Sequence, residues 1–203
     1  MKNEHVQIIY LNGPSSSGKT TLAKKLQQEF EVPFLHVGID KIIGWMPEKI
    51  NDWKGGEALL GFSWKKGEDE VGNIIQELQL GLYAQKIGKT FQEVVLALAT
   101  MGHHIIIDDV SFGKQQIDEW RKILKDFRVL WVGVNAPLSV LEQREKERGD
   151  RIIGATRGQF HKVHADVIYD LEIDTHLTNI EENVDKIKSK SFKKEHDHDR
   201  SRP

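Results

Sequence analysis

The chain has 203 residues, of which 38% are hydrophobic and 30% charged, with a formal net charge of -2 and no cysteine. This composition predicts one soluble globular domain, and the lack of a basic excess disfavours nucleic acid as a partner. Without cysteine there are no disulfides and no thiolate metal sites. No apolar run suits a signal peptide or a membrane span, so we expect a cytoplasmic protein with no membrane partner.

The first part of the chain alternates strands and helices. A short apolar, β-branched run at 6–11 predicts a buried strand that ends at a turn. Apolar residues at helical spacing then predict a helix over 20–30. A second strand is predicted at 33–39, followed by a helix over 40–46 that Pro47 stops or kinks.

The middle of the chain begins with an irregular segment. Residues 51–73 are rich in glycine, tryptophan and charge, and we interpret them as a loop or a small hairpin insertion. After this segment, helical spacing predicts a long helix over 74–101 with a break near Gly88. Residues 104–110 then predict a buried strand with two carboxylates at its end.

The remaining elements repeat the alternation. Helices are predicted at 117–127 and 138–148, with a continuous apolar strand at 128–134 between them. A last strand is predicted at 167–174 and a last helix at 178–188.

This order of elements predicts the fold class. Strands that alternate with helices form an α/β domain with a parallel sheet and helices on both of its faces. We assign residues 1–188 to one such domain and interpret the polar, charged segment 189–203 as a disordered tail.

One motif points to a nucleotide. Residues 13–20, Gly-Pro-Ser-Ser-Ser-Gly-Lys-Thr, match the phosphate-binding loop G-x-x-x-x-G-K-[ST] between a predicted strand and a predicted helix. Such a loop turns its N–H groups toward phosphate oxygens, while Lys19 reaches the β- and γ-phosphates and Thr20 binds Mg²⁺. The alternative is a glycine-serine turn that only caps a helix. The expected nucleotide-binding residues are Gly13, Pro14, Ser15, Ser16, Ser17, Gly18, Lys19, Thr20 and Thr21.

Asp108 and Asp109 end the strand of three isoleucines. A carboxylate at the carboxyl end of a parallel strand faces the crevice where ligands bind, and in P-loop enzymes it holds Mg²⁺ beside the loop threonine. We therefore predict one of the two as a metal ligand with Thr20, and the other as a residue that caps the following turn. Spacing does not decide which is which.

Asp40 follows the second strand, at the same edge of the sheet as the loop. A carboxylate there could accept the proton of an attacking hydroxyl as a phosphoryl group is transferred. The alternative is a helix N-cap, since Asp40 also precedes a helical segment.

Several arginines lie in one charged helical segment. Guanidinium groups on a mobile segment can close over phosphates, stabilise charge on the transferred group and exclude water. The alternative is a solvated helix held by i,i+4 ion pairs. The candidate catalytic arginines are Arg144, Arg148 and Arg151, with Arg157 beyond them. His161 and His164 lie three positions apart, but a third metal ligand is not evident, and we prefer packing roles for them.

Six segments carry a family resemblance: LNGPSSSGKT, FLHVGIDKIIGWMP, IIIDDV, VLWVGV, REKERGDRIIG and YDLEIDT. In this order and spacing they resemble the chloramphenicol phosphotransferase family of P-loop kinases, over most of residues 6–185. The resemblance implies a P-loop NTPase fold with a five-stranded parallel sheet, similar to the adenylate-kinase group. It also implies Mg²⁺-dependent transfer of the γ-phosphate of ATP to a hydroxyl of a small molecule. The acceptor named for the family is chloramphenicol, which is inactivated by phosphorylation of its primary hydroxyl.

The resemblance also implies roles for individual residues. The aspartate of the family's G-[IV]-D segment is its proposed base and corresponds to Asp40, while Lys19 and Thr20 match the phosphate and Mg²⁺ residues. The family's lid corresponds to residues 144–164. Its arginines correspond to Arg144, Arg148 and Arg151.

The acceptor side is less defined. Trp45 and Met46 follow Asp40 closely and are the predicted acceptor contacts. Residues 51–73 depart from the family pattern, and their aromatic residues Trp53, Phe62 and Trp64 suit either an apolar pocket or the core.

These observations predict an ATP-dependent small-molecule O-phosphotransferase acting on chloramphenicol or a similar hydroxyl compound. One alternative is a nucleoside or nucleic-acid 5′-hydroxyl kinase on the same scaffold. Another is an ATP-binding sensor without transferase activity. The sequence leaves a homo-oligomer open.

Overall fold

The computed structural model describes residues 6–150 and 152–192. Within these ranges the strands are β1 Ile8–Asn12, β2 Phe34–Gly38, β3 Phe62–Glu68, β4 Ile74–Leu80, β5 His104–Asp109, β6 Val129–Asn135 and β7 Leu171–Asp174. The helices are α1 Lys19–Glu29, α2 Ile39–Ile43, α3 Leu82–Thr100, α4 Gly113–Ile123, α5 Leu138–Arg148, α6 Ala155–Val163 and α7 Ile180–Ser191. A 3-10 turn spans Glu48–Ile50. Among the described helices, none is long and apolar enough to cross a membrane.

The central sheet is parallel and has five strands in the order β2-β5-β1-β6-β7. Successive side chains of a strand point to opposite faces, so β1 contributes to two separate cores. Ile8 and Tyr10 pack with residues of α3 and α4 on one face, while Ile9 and Leu11 pack with residues of α1 and α7 on the other. The predicted parallel α/β sheet with helices on both faces is therefore confirmed.

The register of the sheet places the predicted site at one edge. Asp108 of β5 lies beside Leu11 of β1 on one side and beside Gly38 of β2 on the other. Because β1 leads into the glycine-rich loop and β2 leads into Asp40, both segments meet at the carboxyl end of β5.

Residues 74–80 form a strand, so the predicted helix over 74–101 is wrong in its first part. β4 pairs antiparallel with β3, from Phe62 opposite Leu80 to Glu68 opposite Ile74. The turn between them is closed by Asp69, whose Oδ1 accepts hydrogen bonds from the backbone N–H groups of Val71 and Asn73. This turn, closed by a side chain, favours a hairpin over a continuous helix. Helix α3 therefore begins only after Gly81.

The hairpin insertion thus covers 62–80 rather than ending at 73. Its aromatic residues contribute mainly to the interior, because Phe62 and Trp64 are buried. Trp53 is more exposed and stacks on Phe62, with 5.7 Å between the ring centroids.

Three further differences concern the end of the chain. The sequence did not predict α6, β7 is shorter than the predicted strand at 167–174, and α7 continues to Ser191 instead of ending at 188. Residues 189–191, the first three of the predicted disordered tail, therefore belong to α7, and that part of the prediction is wrong. The rest of the tail from 193 to 203 lies outside the described residues.

Candidate active site

The glycine-rich loop, residues 13–18, connects β1 to α1. Gly18 has φ 92°, a left-handed conformation that favours glycine, and α1 begins at the next residue. A Cβ on Gly13 would lie 2.4 Å from the carbonyl oxygen of Val134, so no larger residue fits there. No described side chain caps α1, which leaves its N-terminal N–H groups directed at the loop.

The side chain of Lys19, at the start of α1, folds back onto the first residues of the loop. Its Nζ donates to the carbonyl oxygen of Gly13 at 2.7 Å and to that of Pro14 at 3.0 Å. The side chain is buried, and Ser16 Oγ of the same loop is enclosed with no hydrogen-bond partner among the described residues. A cradle with a buried ammonium, an enclosed unpartnered hydroxyl and a helix N-terminus fits a phosphate chain.

Thr20 and Asp108 form the second part of the site. Thr20 Oγ1 donates to Asp108 Oδ2 at 2.7 Å, and His36 Nε2 lies 3.2 Å from the same oxygen. Burial of Asp108 would raise its pKa, but the hydrogen bonds from His36 and Thr20 and the charge of Lys19 outweigh that effect and lower the pKa. An ionised carboxylate beside a hydroxyl supplies the hard oxygen donors that Mg²⁺ prefers, so these residues fit that ion.

Asp109 points away from the loop into the core. Its Oδ2 accepts hydrogen bonds from Tyr10 Oη at 2.6 Å, from Ser111 Oγ at 2.9 Å and from Trp120 Nε1 at 3.1 Å. Burial and the Asp109 charge raise the pKa of Tyr10 well above its usual value, so Tyr10 stays protonated and donates. Of the two candidate carboxylates, one of which was expected at the metal, Asp108 lies beside Thr20 of the loop, and Asp109 accepts hydrogen bonds within the core.

The three residues expected on the acceptor side differ in their exposure to solvent. Asp40 is exposed in the first turn of α2, and the N-cap is Gly38, so Asp40 does not occupy the capping position. Trp45 is 70% exposed, whereas Met46 is 6% exposed and packs within the core. Asp40 and Trp45 are therefore exposed, whereas the side chain of Met46, also predicted as an acceptor contact, fills the core instead.

The candidate arginines have different surroundings. Arg144 donates to Thr175 Oγ1 and to the Thr175 carbonyl oxygen, both at 3.0 Å, and reaches the Ser16 carbonyl oxygen at 3.4 Å. Arg148 is exposed and pairs with Asp150. Arg144 is thus the candidate arginine that contacts the loop, while Arg151 lies outside the described residues.

Three residues at the loop were missed by sequence reasoning. Thr175 Oγ1 donates to the Ser17 carbonyl oxygen at 2.8 Å, and Gln159 Oε1 accepts from the Ser15 backbone N–H at 2.8 Å. His36 is the third, through its contact with Asp108. Their positions in the sequence could have indicated two of them. Thr175 directly follows the last strand, and His36 lies two residues before Gly38, which pairs with Asp108 in the sheet.

His161 and His164 have different surroundings. His161 is exposed against Phe160, whereas His164 Nδ1 lies 2.9 Å from Tyr169 Oη, which accepts from Asn12 Nδ2 beneath the loop. Burial lowers the pKa of His164, and the nearby Lys19 charge lowers it further against an opposing effect of the Val134 backbone. Over 6–150 and 152–192, no group of three or more His, Asp or Glu residues suits a metal ion.

The chain is similar in sequence to known proteins. A model of the family described as "Chloramphenicol phosphotransferase-like protein" matches residues 6–191. Proteins from two strains of Mycobacterium tuberculosis, each named "Putative O-phosphotransferase", are 30% identical to the chain over 188 residues, which is 87% of this chain and 78% of theirs.

Solved structures share the fold at low sequence identity. A sugar kinase from Janibacter sp. HTCC2649 has a TM-score of 0.59 at 18% identity, over 91% of this chain and 93% of the kinase. The APS kinase CysC of Mycobacterium tuberculosis has a TM-score of 0.56 at 14% identity, over 92% and 96%. The solved structures show the fold, whereas the family model and the 30% identical relatives show the family. The chain therefore belongs to the chloramphenicol phosphotransferase-like family, a family of P-loop phosphotransferases.

Proposed function

We propose that this protein transfers the γ-phosphoryl group of ATP to a hydroxyl of a small molecule, with Mg²⁺ as cofactor. The observation that carries the proposal is the meeting of three groups at one sheet edge: the Lys19 loop, the Thr20–Asp108 pair and the exposed Asp40. A phosphate cradle and a metal-binding pair serve any nucleotide. An exposed carboxylate at the same edge of the sheet favours a second substrate, whose hydroxyl must lose a proton during transfer.

The donor side holds and neutralises phosphate. Lys19 and the N–H groups at the start of α1 would bind the phosphate oxygens, because charged donors in a recessed loop are worth more than the same donors in water. Thr20 and Asp108 would hold Mg²⁺, which supplies charge neutralisation between the phosphates when bound. Arg144 contacts the loop from α5 and fixes its shape through Thr175.

The acceptor side provides the base. The Asp40 carboxylate would accept the proton of the acceptor hydroxyl as that oxygen bonds to the γ-phosphorus, and the bond from phosphorus to the ADP oxygen breaks. Trp45 offers an exposed aromatic surface five residues after Asp40, which suits an acceptor with an apolar part. Chloramphenicol, the acceptor in the family's name, is therefore the first compound to test.

A coupled ADP-release assay tests the proposal. The assay would compare chloramphenicol, a panel of small alcohols and a set of nucleosides, with ATP and Mg²⁺ at saturation. We expect acceptor-dependent ADP formation and a phosphomonoester of the acceptor by mass spectrometry. Activity confined to nucleosides would favour a nucleoside kinase, and tight ATP binding without transfer to any hydroxyl would favour a sensor. Either outcome would overturn the proposed acceptor class or the proposed reaction.

A further inference from the structure

Gln159 of α6 contacts the phosphate loop although 144 residues separate it from its partner, Ser15. The side chain is 6% exposed, and its Oε1 accepts the Ser15 N–H at 2.8 Å. Because a backbone N–H can only donate, the carboxamide oxygen must face Ser15, and the Nε2 group must face elsewhere. The hydrogen bond thus fixes which way the carboxamide is turned.

Nε2 of Gln159 makes no hydrogen bond to any described residue. It is also absent from the enclosed unpartnered atoms, so it retains contact with solvent on an otherwise buried side chain. Lys19 Nζ bonds the carbonyl oxygens of Gly13 and Pro14, the two residues immediately before Ser15. Two donors, Lys19 and Gln159, are therefore anchored on the same short stretch of loop, beside the enclosed Ser16 hydroxyl.

The position of Gln159 is set by the elements around α6. Glu145 of α5 is 1% exposed and accepts the backbone N–H groups of Gly154 at 2.9 Å and Thr156 at 2.7 Å, at the start of the helix. On the other side, Gly158 lies so close to β4 that a Cβ would come within 2.3 Å of the Gln76 carbonyl oxygen. These contacts hold α6 on both sides and fix the backbone position from which Gln159 reaches the loop.

We propose that Gln159 is a phosphate-binding residue of the nucleotide site, contributed by α6. Its Oε1 anchors on the Ser15 N–H, and its Nε2 donates to an oxygen of the bound triphosphate. This inference rests on the proposed function, because it needs a nucleotide in the loop. Gln159 would supply a hydrogen-bond donor that the phosphate-loop motif does not contain. This donor comes from α6, the helix that packs against strand β4 of the hairpin.

The variant Gln159→Glu tests the proposal by separating the two halves of the carboxamide. A glutamate has the same shape and can still accept the Ser15 N–H, but it replaces the Nε2 donor with a second oxygen that carries negative charge. Gln159→Met, which has a similar length and no hydrogen-bonding amide, controls for loss of the anchor. Thermal unfolding of both variants without nucleotide reports whether the fold is kept.

Calorimetric binding of ATP and adenosine to wild type and both variants gives the readout, which does not depend on catalysis. We expect Gln159→Glu to bind ATP about tenfold more weakly or worse, since a charge-assisted hydrogen bond is replaced by repulsion, with adenosine affinity unchanged. In the absence of Mg²⁺, raising the pH from 4 to 7 should increase the loss of ATP affinity in Gln159→Glu, because the new carboxyl ionises. Equal ATP affinity of wild type and Gln159→Glu would overturn the role of Gln159. Failure of wild type to bind ATP would instead overturn the proposed function.

Discussion

The hydroxyl of Thr20 donates to the carboxylate of Asp108 at 2.7 Å across 88 residues of sequence. The neighbouring Asp109 points to the opposite face of β5 and accepts three hydrogen bonds in the core. One step along a strand thus separates a carboxylate at the proposed nucleotide site from a carboxylate that supports the fold.

This contrast predicts different consequences for the two asparagine variants. Asp108→Asn should lower the transfer rate by about 100-fold or more and raise the Mg²⁺ concentration needed for activity, because a ligand charge is lost. Asp109→Asn should leave the Mg²⁺ dependence unchanged and lower the free energy of unfolding by about 1–3 kcal/mol, because an amide cannot satisfy all its buried donors. Mg²⁺ titrations and urea unfolding of both variants provide the measurements. The reverse pattern would contradict the assignment.

Lys19 and Asp40 should differ in the size of their effects. The transition state of phosphoryl transfer is stabilised mainly by charge, so Lys19→Met should reduce kcat more than Asp40→Asn. Asp40→Asn should still lower kcat by about 100-fold with saturating acceptor, while ATP affinity stays near the wild-type value. Asp166→Asn, another exposed aspartate at φ 56°, is a control expected to have no effect. Near-normal turnover of Asp40→Asn would show that Asp40 is not the base.

The packing of α6 on the hairpin should be sensitive to one methyl group. Gly158→Ala places a Cβ against the Gln76 carbonyl oxygen and should lower the free energy of unfolding by about 1–3 kcal/mol. Gly88→Ala is the matched control, since it also lies within a helix but has no atom within 4 Å of its Cβ position. That variant should gain about 0.5–1 kcal/mol from the higher helix propensity of alanine. Urea unfolding compares them, and equal stabilities would disprove the close contact.

His164 should make stability depend on pH. Its folded pKa lies below 6.5 because of burial, so below that pH the unfolded chain binds a proton that the folded protein does not. The stabilisation is complete above about pH 6.5 and decreases as pH falls toward the folded pKa, by at most about 1.4 kcal/mol per pH unit. His164→Gln should flatten the slope of the unfolding free energy between pH 7 and 5. His161→Gln, at an exposed position, should not; an unchanged slope in His164→Gln would refute the prediction.

Much of the fold could be predicted because its signals are local. The loop motif, the buried strands and the helix at 138–148 each depend on residues adjacent in sequence. Residues 74–80 are predicted as a helix, wrongly, because apolar residues at 74, 75 and 78 fit a helical period as well as a strand. The Asp69 turn and the contact with α6 decide between the two.

The sequence predicts contacts of the candidate site only where a motif spans them. Thr175 and Gln159 contact the loop from 158 and 144 residues away, and no local pattern marks a residue for such a contact. The choice between Asp108 and Asp109 required the direction of two side chains at a strand end. Arg144 was predicted among the lid arginines, but its partner Thr175 was found only from the folded chain.

Transfer of labelled phosphate tests the central claim most directly. ATP carrying ¹⁸O on its γ-phosphoryl oxygens would be incubated with wild type, Mg²⁺ and the acceptor panel, with Lys19→Met as control. The account predicts a phosphomonoester of a small-molecule alcohol that carries the label in the wild-type reaction, and little or none with the variant. If wild type binds ATP but the label stays in ATP or appears only in inorganic phosphate, the protein does not transfer phosphate to these hydroxyls, and the account is wrong.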